Sequence, residues 1–288
     1  MPSVPSVLVG ADGSGPALRA VAWAAEEAAL HARPLEIVCV SEPTDTAAGI
    51  LDRARTIARA VADVPVRIRC RAGRPAEVLT ELSREAGLLV VGHRGGGGVD
   101  RPAHSSVAVT VGRRAACPVL VVRAAAGRPV PDRARPIVVA VDGSPDSRAA
   151  VDVAAQIARE RGGVLVAVHV WFERPADALR RLCRREHEPA REAARRLLAD
   201  CLAGTAALHP GLTVHPEVMR GSPTWSLLEL SDSAQLLVVG RGGHGRRALG
   251  RTTWALLHGG ACPVAVVGPR PALPDRLRPV LAGGTRGG

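Results

Sequence analysis

The sequence predicts a doubly wound α/β protein built from two copies of one parallel-sheet unit. Three observations carry this: an internal repeat, strands that read as short continuous apolar runs, and helical segments that alternate with them. VLVGADGSGPALRAVAWA (Val7–Ala24) returns as IVVAVDGSPDSRAAVDVA (Ile137–Ala154), so Asp12 aligns with Asp142. LEIVCV (Leu35–Val40) returns as VLVAVHV (Val164–Val170), which sets Cys39 opposite His169. AGRPAEVL (Ala72–Leu79) returns as RGSPTWSL (Arg220–Leu227), and LLVVG (Leu88–Gly92) recurs at Leu236–Gly240. ACPVLVV (Ala116–Val122) closes the first copy and ACPVAVV (Ala261–Val267) the second. Self-similarity on this scale marks duplicated units rather than one larger domain.

Each copy reads strand–helix four times and ends on a fifth strand. Strands one, two, four and five are near-continuous apolar runs, as expected when helices cover both faces of a parallel sheet. In strand three, VRIRCR (Val66–Arg71), apolar residues alternate with arginine, the pattern of a half-exposed strand at a sheet edge. The first helix of copy two has clear start signals. Ser144 can cap it, Pro145 suits its first position, and Asp146 favours its positive end. Copy two carries 18 additional residues between its second strand and its Gly-x-Pro turn. The run CRREHEPAREAARRLLADCLAG, with a Leu197, Leu198 and Cys201 stripe, predicts a longer second helix with a solvated face. His187 and Glu188 within it read as solvated surface. The expected organisation is a first domain over 1–126, a linker over 127–135, a second domain over 136–269 and a mobile basic tail over 270–288.

At 288 residues and 47% hydrophobic content, the chain can bury two ordinary cores. It has no apolar run of about 18 residues, and MPSVPSVLVGADG lacks a charged start before an apolar stretch. We therefore expect a cytoplasmic protein with no membrane partner. The net charge of +11 comes from 38 basic residues, all arginine. With Ala, Gly and Pro also abundant, this bias fits a GC-rich genome as well as an acidic partner. One Phe, four Trp and no Tyr leave little on which to stack bases, which argues against nucleic acid. The six cysteines include no C-x-x-C pair, and no H-E-x-x-H accompanies them, so no metal site is expected. Cys39, Cys70, Cys117 and Cys262 lie in or beside apolar runs and read as buried thiols in a reducing compartment.

The segment GHRGGGGVDRPAHSS (Gly92–Ser106) is where chemistry is expected. In an open α/β sheet, ligands bind beyond the carboxyl ends of the strands. Glycines let bare backbone approach an anion, and a following helix adds unpaired N–H groups and positive potential. Copy one offers Gly92 and Gly95, Arg94 for charge, and Ser105 and Ser106 as hydroxyls at the expected helix start. Asp12 and Gly13 stand at the tip of strand one. The loop reads either as a phosphate cradle or as a glycine loop with no ligand. G-x-x-x-x-G-K-[ST] is excluded because the chain has no lysine; neither a strand-one G-x-G-x-x-G nor a G-x-S-x-G nucleophile turn occurs. His93 and His104 are the only general-base candidates beside the loop, and both read as solvated loop histidines.

V-D-G-S after strand one, the Gly-x-Pro turn, LLVVG-x-R-G and A-C-P-V-x-V-V together resemble the universal stress protein family. The tandem arrangement is similar to the two-domain members common in actinobacteria. The resemblance spans 5–124 and 135–268. It implies two tandem Rossmann-like (HUP-type) domains, each a five-stranded parallel sheet of order 3-2-1-4-5 with helices on both faces. It also implies ATP, with or without Mg, bound through G-x-x-G, nine residues, then G-S or G-T. Copy one fits that spacing with Gly92, Gly95, nine residues (Gly96–His104), Ser105 and Ser106, but Ser105 stands where the family has glycine. A strained backbone there costs on the order of 1–3 kcal/mol, which is roughly ten- to a hundredfold in affinity. Copy two keeps Gly240 and Gly243, yet only six residues separate Gly243 from Gly250, and Arg251 takes the hydroxyl's place. Thr252 or Thr253 is the substitute hydroxyl, and Arg241, Arg246 and Arg247 keep the loop positive. By resemblance, Val40 and Val170 line an adenine pocket, and Asp12–Gly13 and Asp142–Gly143 meet the nucleoside. Edge pairing of the two last strands, as in family dimers, makes the copies a pseudo-dimer within one chain and leaves room for a further homodimer. The implied function is nucleotide-dependent contact in a stress response, with nucleotide held mainly in domain 1. A scaffold without nucleotide and a slow ATPase are the alternatives; no catalytic residue and no metal ligand is assigned.

Overall fold

The computed structural model describes residues 4–93, 107–123, 132–171, 187–242 and 249–269. In the first half β1 (Ser6–Gly10), α1 (Gly15–Leu30), β2 (Leu35–Val40), α2 (Asp45–Val61) and β3 (Val66–Arg71) are followed by α3 (Pro75–Leu82), β4 (Ala86–Gly92), α4 (Val107–Arg114) and β5 (Val119–Val122). The second half runs β6 (Ile137–Ala140), α5 (Pro145–Glu160), β7 (Leu165–Trp171), α6 (His187–Leu202) and α7 (Thr205–Leu208). It ends with β8 (Val214–Arg220), α8 (Pro223–Ser231), β9 (Leu236–Gly240), α9 (Arg251–Gly259) and β10 (Val264–Val267).

All ten strands form one sheet in the order β3-β2-β1-β4-β5-β10-β9-β6-β7-β8. Each half therefore has the expected 3-2-1-4-5 order, and pairing within each half is parallel. The halves join where β10 runs antiparallel to β5, with Val264 opposite Val121 and Val266 opposite Val119. β5 and β10 are short and wholly apolar, VLVV and VAVV, and fully buried. Left unpaired, either would be an exposed sticky edge; together they cover each other. The strands left at the outside are β3 and β8. Both are mostly exposed, and Pro216 in β8 cannot donate to a further ladder.

Helices α1, α2, α5 and α6 cover one face around Val9, Ile37, Leu120, Ile137 and Leu165. Helices α3, α4, α8 and α9 cover the other around Leu8, Leu89, Val121, Leu237 and Val266. Each core runs unbroken from one half into the other. Helix α1 presents Ala17, Ala20, Ala24 and Ala28 to the sheet, a small-residue stripe at helical spacing that allows close approach. Helix α5 starts as its sequence signals: the Ser144 hydroxyl accepts from the Ser147 N–H, with Pro145 and Asp146 in the first turn.

Helix α6 has 16 described residues against 17 in α2, and the lengthening expected of it reaches into residues that lie outside the described ones. The additional residues fall on both sides of α6, in 172–186, which lie outside the described residues, and in the stretch that holds α7. Cys70 is only half-buried, because its strand is outermost, whereas Cys39, Cys117, Cys201 and Cys262 are buried. Among the described residues no helix is long and apolar enough to cross a membrane.

The charged residues buried between the halves were not anticipated. Glu27 of α1 and Arg161, which caps α5, are 2% and 6% exposed and form an ion pair. Arg161 also donates to the Gln235 side-chain carbonyl at 3.1 Å and lies over the Trp23 ring, 5.0 Å from its centroid. His31, which caps α1, contacts Glu27 at 3.1 Å and Glu160 of α5 at 2.8 Å. Each helix thus ends on a cation that meets its own carbonyl dipole and an acid of the other half.

Candidate functional site

Parallel register brings the predicted site residues to one end of the sheet. β1 pairs with β2 on one side and β4 on the other, so Asp12–Gly13, Val40 and Gly92 stand at neighbouring strand tips. The same holds for Asp142–Gly143, Val170 and Gly240. The Asp–Gly–Ser turn after strand one is alike in both halves. Asp12 Oδ1 accepts the Ser14 N–H at 3.0 Å, and Asp142 Oδ1 accepts that of Ser144 at 3.0 Å. Gly13 has φ +80 and Gly143 φ +82, the left-handed region that favours glycine. Val40 and Val170 are half-buried and pack against the core on the side of the sheet that α3 and α8 cover. Arg94, Gly95, Ser105, Ser106 and His104, and in the second half Gly243, Arg246 and Arg247, lie outside the described residues.

Gly92 and Gly240 serve a purpose the sequence did not reveal. A Cβ on Gly92 would stand 2.8 Å from the backbone carbon of Pro16, and one on Gly240 would stand 3.0–3.1 Å from Asp146 and Ser147. Their bareness lets the tip of the fourth strand pass under the first turn of α1 or α5. Gly92→Val is expected to destabilise the chain by about 1–3 kcal/mol, read as a lowered denaturation midpoint. Gly112→Ala, where a Cβ meets nothing nearer than 3.8 Å, serves as the tolerated control.

The loop after β9 is tied down at its described ends. The Gly242 N–H donates to Asp146 Oδ2 at 3.2 Å, the Gly250 N–H to the Arg241 carbonyl at 2.9 Å, and Thr253 Oγ1 to the Gly240 carbonyl at 2.8 Å. Thr252 Oγ1 faces the Thr224 hydroxyl at 3.3 Å. Both substitute hydroxyls are thus already engaged. Burial raises the Asp146 pKa, while the Gly242 amide and the Arg241 charge pull it down. Arg241 turns away from the loop and donates to the Ala115 carbonyl just past α4. In return, Arg123 donates to the Leu257 carbonyl in α9 at 2.5 Å and contacts His93 at 3.2 Å. His93 is therefore no solvated loop histidine. It is half-buried between the halves, its ring edge-on to His258.

Two cavities flank the helices that follow β2 and β7. The larger, about 600 Å³, is lined by Asp142, Gly143, Arg148, Glu192, Arg196 and Asp200 among others. Neither Gly240 nor Gly250 lines it, whereas Asp142 and Gly143, the expected nucleoside contacts, do, with Arg148 and Arg196 beside Glu192 and Asp200. The smaller, about 240 Å³, lies between Pro43, Thr44, Leu51 and Cys70. Among the described residues no group of three or more potential ligands could hold a metal ion.

The family model for the universal stress protein family matches residues 4–123 and again 133–268. The chain belongs to the universal stress protein family. A universal stress protein of Mycolicibacterium smegmatis is 34% identical over 92% of this chain and 97% of its own length. One from Mycobacterium tuberculosis is 32% identical, covering 90% of this chain and 96% of the relative. Among solved structures, a universal stress protein from Archaeoglobus fulgidus superposes with a TM-score of 0.68 at 16% identity, covering 91% of this chain and 96% of that one. That likeness shows the fold. Within this universal stress protein the halves differ at the tip of strand four. Pro16 in the first half stands where the second has Asp146, and His93 where the second has Arg241.

Proposed function

We propose that this universal stress protein binds adenine nucleotide through its first half and acts in the cytoplasm through contacts that depend on the bound nucleotide. The observation that carries the reading is the asymmetry at the tip of strand four. In the second half the Asp146 carboxylate already takes an amide at the mouth of the loop, where a phosphate would sit. Binding there requires displacing an anion and reversing three internal hydrogen bonds. In the first half Pro16 offers no acceptor side chain at that place. The Gly92, Gly95, Ser105, Ser106 spacing and Arg94 supply amides, hydroxyls and charge. Val40 would pack on the base, and Asp12 would accept from the nucleoside. Mg would accompany the triphosphate, held by phosphate oxygens and water.

The test is the melting temperature of the full chain with and without Mg-ATP. A ligand at about 100 times its Kd stabilises the native state by about 2.7 kcal/mol, so a clear rise is expected. Gly95→Val should abolish the rise, and Gly243→Val should leave it intact. Asp146→Asn should add a second, weaker binding event in titration calorimetry. No rise at millimolar Mg-ATP would overturn the reading in favour of a scaffold. Steady phosphate release, lost on changing Asp12 or Arg94, would mark a slow ATPase instead.

A further inference from the structure

We propose that Cys39 and Cys70 form a peroxide-sensitive dithiol, a modification site present in the first half alone. They are register partners on adjacent parallel strands, so their side chains leave the same face of the sheet. Neighbouring strands lie about 4.8 Å apart, inside the range of about 4.4–6.8 Å between Cα atoms that a disulfide spans. Both sulfurs converge on one group: the Ser41 hydroxyl oxygen lies 3.8 Å from Cys39 Sγ and 3.9 Å from Cys70 Sγ. Cys70 Sγ also donates to the Ser41 carbonyl at 3.4 Å.

The two thiols differ in access. Cys70, half-buried on the outermost strand, lines the cavity of about 240 Å³ beside the start of α2. Cys39 is 3% exposed, and burial raises its pKa. This assigns the order of events. The Cys70 thiolate attacks one peroxide oxygen; an S–O bond forms, the O–O bond breaks, and the departing hydroxide takes one proton and leaves as water. Cys39 sulfur then attacks the Cys70 sulfenic acid; the S–S bond forms, the S–O bond breaks, and a second water carries off the Cys39 proton. Peroxide is reduced to two waters and the two thiols are oxidised to one disulfide. Burial pushes the Cys117 and Cys262 thiols up to about 12, which keeps them protonated; Cys201 is buried too, on helix α6. In the second half the paired positions are His169 and Val218, and no such step is available.

The experiment treats the full reduced chain with hydrogen peroxide, blocks remaining thiols with iodoacetamide, and maps peptides by mass. The expected product is a peptide pair joined through Cys39 and Cys70, lighter by two hydrogens and restored by a dithiol reductant. Cys70→Ser should abolish it; that position is half-exposed, so the variant is expected to fold, which its thermal transition in reductant checks. Cys39→Ser should leave Cys70 trapped by a sulfenic-acid probe. A link from Cys70 to another cysteine, or Cys70 passing to sulfinic acid in the wild-type chain without joining Cys39, would overturn the proposal.

Discussion

Glu27→Ala is expected to lower the stability of the whole chain by about 3–5 kcal/mol, read as a shift in denaturant midpoint at pH 6. The change leaves the Arg161 guanidinium buried between α1 and α5 without its carboxylate, facing Trp23 and the Gln235 side chain. A lone buried cation costs far more than a surface one, since neither water nor a counter-ion replaces the lost partner. His31 loses one of its two acids at the same time. Removing both charges with Glu27→Leu and Arg161→Met should cost much less than Glu27→Ala alone, because well-packed apolar groups can replace a buried pair at little cost. A Glu27→Ala effect below about 1 kcal/mol, the range of exposed pairs, would show that this contact is solvated.

Alkaline pH should loosen the same contact. Burial lowers the His31 pKa, but hydrogen bonds to Glu160 and Glu27, and their charges, outweigh it and raise the pKa to about 9 from the usual 6.5. Arg33 and Arg161 are the cations that share these acids. A raised folded-state pKa contributes stability that is complete below pH 6.5 and is lost as pH climbs through about 9. Each pKa unit corresponds to about 1.4 kcal/mol, so the loss is on the order of 3 kcal/mol. Burial raises Glu27 and Glu160 as well, yet their partners prevail and hold both below the ordinary carboxylate value. Their contribution therefore fails on the acid side, as pH falls through their depressed folded pKa. Stability should peak between the two limits. Urea titrations at pH 6 and pH 9.5 check this, and His31→Gln should flatten the alkaline slope.

Much of the fold was legible because each half obeys local rules. Continuous apolar strands, the Ser144–Pro145–Asp146 helix start and the alternating arginines of β3 all led to the observed elements. At the site, the Asp–Gly–Ser turns and strand tips were placed correctly by topology. The partners of Gly92, Gly240, His93 and Arg241 were not, since each is met by a residue far away in sequence. Glu27, Arg161 and His31 escaped for the same reason. On a helical wheel they look like solvated positions at a helix end, and only the second half makes them interior.

The β5–β10 seam has a consequence for dosage. Subunits that associate reversibly separate when scarce, but two lobes on one polypeptide meet at an effective concentration set by their tether, whatever the amount in the cell. The association of the two lobes should therefore be independent of protein concentration, and either lobe is free to change at its strand tips while continuing to brace the other.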